Sequence, residues 1–310
     1  MERWSSILKI PLNATSSNYY RVAASLCLSV SIALPSANAI FFHGDRVRDT
    51  GNPVIERLYD LQKVAEVIVS KFGNSVNALV VEASVFNGPF AVYKDFVPSV
   101  NRYGEPTASY SPNGFPASSS IVSLLSTFLQ ESLVSKEGKD LCLRSSLAHC
   151  PRTILLGFSK GGVVINQFLS EMSSLDTNSA GEHEEVGIIP ASKESFLNSI
   201  SEVHYIDVGL NSFGAYITDQ NVVQRISQRL TGGGGGSSVS VFVHGTPRQW
   251  GDEQRGWIVK EKDELVRLLK SEGENSGGKL QVHDRFYFAD RLPDLQMHFE
   301  IIDAMDVSSA

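Results

Sequence analysis

The chain has 310 residues, with 27 Lys plus Arg against 34 Asp plus Glu and a formal net charge of −7. At 42% apolar and 20% charged residues it has the make-up of an ordinary globular protein, long enough for one large α/β domain. The acidic balance excludes a nucleic-acid protein held by phosphate contacts, and three cysteines without CxxC spacing exclude a disulfide scaffold and a Cys-rich zinc site. Cys27, Cys142 and Cys150 therefore read as reduced thiols of an intracellular compartment.

The first 44 residues hold one acidic residue, Glu2, beside Arg3, Lys9, Arg21 and many serines. Such a segment (1–37) is either a β-hairpin or a targeting peptide. "YRVAASLCLSVSIAL" has strand composition. The same stretch also has features of a transit peptide, or of a secretory segment cleaved near Ala39. Pro35 and the serines make it a poor membrane span, so no transmembrane segment is expected.

From residue 38 to 310 strand-like and helical patterns alternate. "NAIFFHG" (38–44) is a strand. "PVIERLYDLQKVAEVIVSKFG" (53–73) has apolar residues at three- and four-residue steps, with Pro53 and Gly73 as start and stop signals. "NALVVEAS" (77–84) is a strand, followed by a Pro-, Ser- and Gly-rich loop at 98–120. "IVSLLSTFLQESLVS" (121–135) is a helix, "RTILLG" (152–157) a strand and "KGGVVINQFLSEM" (160–172) a helix. A polar excursion follows at 173–187. "EVHYIDVG" (202–209) and "VSVFVHG" (239–245) are strands around a helix at 221–230. The glycine run "TGGGGGSS" (231–238) is a flexible connection. An amphipathic helix at 252–273, a strand at 279–289 and a helix beginning at 297 complete the chain. This alternation predicts one doubly wound, mostly parallel sheet with helices on both faces, preceded by the segment 1–37.

The chemistry centres on "ILLGFSKGGVV". Gly157-Phe158-Ser159-Lys160-Gly161 fits G-x-S-x-G, entered by an apolar strand and left by a helix. That is the setting of a nucleophile elbow, in which a strained turn raises the serine at the carboxyl edge of an α/β-hydrolase sheet. Serine needs a base, and in this fold the acid and then the histidine follow it along the chain. His298 is the expected base, since it lies beyond the last strand; His283 lies within that strand. His204 and His244 precede the expected position. Two acids compete. Asp207 closes the strand at 202–209. Asp252 follows the next strand, the commoner location, although it also reads as the N-cap of a helix. Either would orient and stabilise the imidazolium. The expected oxyanion donors are the backbone N–H of Lys160 and one from His43-Gly44. The Lys160 side chain has no required part and is expected to be solvated or paired with a carboxylate. Tyr93, Phe96, Tyr103, Tyr110 and Phe115 either line an apolar substrate pocket or pack beneath the long loop.

The blocks "LLGFSKGGVVINQ", "HYIDVGLNSFGAY", "VHGTPRQWGDEQRGWI" and "FYFADRLPDLQMHFEIID" resemble the eukaryotic family named for the chromosome 2 open reading frame 69 protein, in its plant branch. The resemblance implies an α/β-hydrolase-like fold with a serine esterase or lipase site, its elbow on Gly157, Ser159 and Gly161. It also implies a mitochondrial location, with the cytoplasm as the alternative.

The expected activity is thus hydrolysis of a small-molecule or lipid ester or thioester through an acyl-enzyme, with neither metal nor organic cofactor. The rivals are a binding or scaffold protein that kept the fold and lost the reaction, and an acyltransferase with the same triad.

Overall fold

The structure is a computed structural model that describes residues 2–13, 15–28, 35–134, 151–175, 188–232 and 238–308. Cys142, Cys150, most of the polar stretch at 173–187 and the glycines at 233–237 lie outside the described residues.

In chain order the strands are β1 (Glu2–Pro11), β2 (Tyr19–Leu28), β3 (Ala37–Phe42), β4 (Val76–Val81), β5 (Val85–Asn87), β6 (Phe90–Val92), β7 (Arg152–Phe158), β8 (Ile200–Ile206), β9 (Val239–Gly245) and β10 (Leu280–Phe286). The helices are α1 (Pro53–Tyr59), α2 (Leu61–Phe72), α3 (Pro116–Val134), α4 (Gly162–Met172), α5 (Lys193–Ser199), α6 (Gln220–Gly232), α7 (Pro247–Trp250), α8 (Trp257–Asn275) and α9 (Leu295–Ala304).

Eight strands form one sheet in the order β1-β2-β4-β3-β7-β8-β9-β10, and β5 and β6 form a separate small hairpin. The β1–β2 and β2–β4 pairs are antiparallel; all other pairs of the large sheet are parallel. With the small hairpin set aside, the order is 1-2-4-3-5-6-7-8 with the second strand reversed, the arrangement of the α/β-hydrolase fold. The N-terminal hairpin is thus part of the main sheet rather than a segment apart, and Trp4, Ile10, Tyr20 and Val22 are buried in its core.

Strands β3 and β4 are buried along their whole length and β7 from Thr153 onward, as strands covered on both faces must be. Alternate residues serve opposite faces. Ile40 and Phe42 join a core layer with Leu124, Phe168 and Leu265 of α3, α4 and α8. Ala39 and Phe41 join another with Leu58, Val64 and Ile301 of α1, α2 and α9.

Two expected helices differ in detail. The periodic stretch 53–73 divides at Asp60, whose extended backbone ends α1 and whose carboxylate caps α2 at Lys63 N, 2.9 Å away. The helix expected from 252 starts at Trp257. A 3-10 turn, Glu253–Arg255, precedes it, capped by the Asp252 carboxylate on Gln254 N at 2.9 Å.

Candidate active site

The parallel strands end together. Phe42 is in register with Gly157, Phe158 with Ile206, and Ile206 with His244. The segments leaving β3, β7, β8 and β9 therefore meet at one edge, and each carries a polar residue there: Gly44-Asp45, Ser159, Asp207 and Thr246.

Ser159 follows β7 with φ of +52°, in the left-handed region. A non-glycine residue there costs on the order of 1–3 kcal/mol and persists only where its surroundings hold it. Two glycines make the turn possible. A Cβ on Gly161 would lie 2.1 Å from Phe42 O, and one on Gly157 2.5 Å from Ile165 Cγ1. Strand β3 and helix α4 thus close on the turn where no side chain can stand. A 3-10 turn, Ser159–Gly161, leads into α4.

Helix α9 returns over this edge. Asp294 caps it, accepting from Met297 N, so His298 lies in the first helical turn rather than ahead of it. His298 is 6% exposed, and its ring packs on Phe158 with centroids 4.6 Å apart. Its Nδ1 lies 2.6 Å from Asp207 Oδ2. Asp207 is fully buried and also has a positive φ of 44°. Its carboxylate accepts from Thr246 N at 2.8 Å and from Thr246 Oγ1 at 3.0 Å, while its own amide donates to His244 O. Two donors from Thr246 therefore fix the carboxylate against the imidazole. Ser159 and His298 line the same cavity.

Asp252, the other expected acid, stands elsewhere. It caps the turn before α8 and pairs with Arg255 Nε at 2.8 Å, with its side chain 28% exposed. The hydrogen bonds to that guanidinium and to Gln254 N hold its carboxyl below the usual range. Among the described residues no hydrogen bond or ion pair joins it to His298, whose Nδ1 is taken by Asp207. The commoner strand position loses here because its acid serves as a helix-turn cap.

His204, His244 and His283 are not among the residues that line the cavity with Ser159. His204 and His244 are buried and linked, Nδ1 to Nε2, at 3.1 Å, and His244 Nδ1 faces Tyr287 Oη at 3.0 Å. Burial keeps both imidazoles below their ordinary pKa. His283 stacks on Phe242 in β10.

Of the expected oxyanion donors, the His43 amide is engaged in the sheet, donating to Val81 O at 3.0 Å. Gly44 comes closer: a Cβ there would lie 2.6 Å from Ser159 Cβ and 3.1 Å from its Oγ. The main chain of Gly44 is therefore laid directly against the serine. Tyr93 steadies this segment, its hydroxyl donating to His43 O at 2.7 Å. The His43 ring is fully buried among Phe41, Tyr59 and Phe158, and burial pushes its pKa down to about 4.

Lys160 is 2% exposed, far from solvated. Its Nζ lies 3.0 Å from Glu105 Oε1 and 3.5 Å from Asp45 Oδ2, donates to Tyr103 O at 2.7 Å, and sits 4.6 Å over the Phe90 ring. Glu105 also accepts from Ser212 Oγ at 3.0 Å. The residue after the serine thus fastens the loop at 101–106 over the site. Burial raises the Asp45 carboxyl, and the Lys160 ammonium opposes it.

The cavity beside Ser159 has a volume of about 220 Å³. Its walls include Asp45, Glu105, Lys160, Arg248, Gln249 and Arg255, and none of the five aromatics expected there. Tyr93 and Phe96 are core residues, fully buried. Tyr110 lines a larger cavity of about 420 Å³ beside Phe213 and Glu261, which contains neither Ser159 nor His298. Size alone would favour that cavity; Ser159 and His298 line the smaller one. Thr246, Arg248 and Gln249 went unnoticed in the sequence, although their place just after β9 signalled the catalytic edge. Among the described residues no group of three or more His, Cys, Asp and Glu side chains could hold a metal ion, and no helix is long and apolar enough to cross a membrane.

The C2orf69 family model matches residues 130–275 of the chain. The mouse mitochondrial protein C2orf69 homolog is 29% identical over 149 residues, 47% of this chain and 33% of its own. The zebrafish homolog is 23% identical over 248 residues, 79% of this chain and 64% of its own. The match therefore spans about a third of the length of the mouse relative. Among solved structures, a lipase/esterase from Lactobacillus plantarum superposes with a TM-score of 0.42 at 11% identity, covering 97% of each chain.

Proposed function

For a C2orf69 relative with an α/β-hydrolase fold, we propose a serine hydrolase acting on esters or thioesters. The observation that carries this reading is the Asp207–His298 pair, 2.6 Å apart, whose His298 lines one cavity with a serine held at positive φ. With Nδ1–H donated to Asp207, His298 keeps Nε2 as its basic nitrogen. Nε2 takes the Ser159 proton as Oγ bonds to the acyl carbon. The proton then passes to the leaving alcohol or thiol as its bond to that carbon breaks. Water, deprotonated by the same nitrogen, releases the acid and restores the serine. The N–H of Lys160 and the main chain at Gly44-Asp45 supply the oxyanion donors.

The test is a fluorophosphonate probe on the purified chain. Ser159 is labelled in the native protein, and Ser159→Ala abolishes labelling. Labelling that survives the substitution removes Ser159 from the mechanism.

One observation favours a second reading, a fold that binds without reacting: no hydrogen bond joins Ser159 Oγ to His298 among the described residues. Catalytic hydrogen bonds are often long before substrate binds, so the hydrolase stands as the leading reading. The relatives carry "mitochondrial" in their names. A mitochondrial location extends that to this chain, and imaging of a C-terminally tagged protein checks it.

A further inference from the structure

Each charged side chain lining the 220 Å³ cavity has an oppositely charged or hydrogen-bonding partner, with one exception. Lys160 faces Asp45 and Glu105. Arg255 faces Asp252. His298 faces Asp207. Arg248 lines the same cavity, yet among the described residues it has no ion pair and its guanidinium makes no hydrogen bond. Its neighbour Gln249 is 5% exposed, and its Oε1 is buried without a hydrogen-bond partner. A half-buried cation and an unsatisfied amide thus adjoin on one wall.

Those two groups disfavour an apolar chain. A hydrocarbon filling the cavity would strip water from Arg248 and give nothing back, and such unpaired burial is costly. An anion compensates it, since the guanidinium fork matches a carboxylate or a phosphate. The volume points the same way: about 220 Å³ falls below the range of roughly 300–1,000 Å³ typical of ligand pockets, so the occupant is short.

Building on the hydrolase reading, we infer that the substrate is a small ester or thioester bearing a carboxylate or phosphate, which Arg248 pairs while Ser159 attacks the carbonyl. Gln249 Oε1 accepts from a hydroxyl or amide N–H of the same molecule. Arg248 is a substrate-binding residue here and takes no part in proton transfer.

The test has two arms on the full chain. The first measures binding of succinate and of inorganic phosphate by calorimetry to the wild type, Arg248→Met and Arg248→Lys; it needs no turnover. At least one anion binds the wild type, Arg248→Met weakens it about 10- to 100-fold, and Arg248→Lys keeps part of the affinity. Preference for succinate or phosphate identifies the anionic group. The second arm compares kcat/KM for p-nitrophenyl hemisuccinate, p-nitrophenyl 3-phosphonopropionate and p-nitrophenyl butyrate. An anionic ester is preferred by the wild type, and the ratio to butyrate falls about tenfold or more in Arg248→Met. Equal binding to wild type and Arg248→Met, or butyrate preferred by the wild type, overturns the inference. If no ester turns over but the anion binds through Arg248, the hydrolase reading fails and the anion site stands.

Discussion

His298 Nδ1 and Asp207 Oδ2 lie 2.6 Å apart across a sequence separation of 91 residues. Neither end of this contact is loose. Asp207 is clamped by the main chain and hydroxyl of Thr246, and the His298 ring rests on Phe158, the residue before the serine. The pair is thereby set by three strand ends and one returning helix, not by a flexible loop.

The two aspartates can be told apart by activity. Asp207→Asn lowers kcat/KM for the chain's preferred ester by about 10³- to 10⁴-fold, the scale seen when the orienting acid of a serine triad is amidated. Asp252→Asn disturbs a partly exposed pair worth at most about 1 kcal/mol and changes the rate by less than about fivefold. The reverse ranking would transfer the acid's role to Asp252.

Gly161→Ala tests the closeness of β3 to the elbow. The added methyl would meet Phe42 O at 2.1 Å, and a backbone oxygen cannot swing aside. The expected loss is about 2 kcal/mol or more, read as a lower urea midpoint. An unchanged midpoint would mean that the turn sits farther from β3.

Lys160→Met leaves Glu105 and Asp45 facing a hydrocarbon. Breaking a buried pair from one side costs about 3–5 kcal/mol, and the lower end applies because Asp45 is 28% exposed. Adding Glu105→Gln and Asp45→Asn to Lys160→Met removes the stranded charges and recovers much of the loss. Equal stability of the single and triple variants in guanidinium melts would contradict this account.

Acid should loosen the fold through His43. Its folded pKa is about 4 against an ordinary 6.5, so between those values the unfolded chain binds the extra proton. Stability therefore rises with pH across this window and is lost as pH falls through it. For His43 alone the loss by pH 4 is on the order of 3 kcal/mol. His204 and His244, also lowered by burial, act in the same direction. Urea midpoints at pH 7.5 and 5 check the sign, and His43→Gln should flatten the difference.

The sheet and the elbow were legible because each is a local signal. A buried parallel strand is a continuous apolar run, and G-x-S-x-G between strand and helix records a turn whose neighbours press close. Ser159, His298 and Asp207 were all in view. Which of Asp207 and Asp252 meets His298 was not, because that contact joins distant segments. Which of its two expected states the Lys160 side chain takes, solvated or paired with a carboxylate, was hidden for the same reason: Asp45 and Glu105, which pair with it, lie 115 and 55 residues away in sequence. The aromatics of the long loop carry no mark that distinguishes core packing from a pocket wall, and the structure uses Tyr93 and Phe96 for packing.

The short stretch after β9 holds two jobs at once. Thr246 fixes the Asp207 carboxylate, and Arg248 and Gln249, two and three positions on, line the cavity beside Ser159. Under the hydrolase reading we propose, selectivity and reactivity are wired to one turn of backbone. A lineage that reshaped this turn to admit a different molecule would risk unseating Asp207 in the same step, so new preferences would arise more readily from the opposite wall, around Asn211 and Leu295.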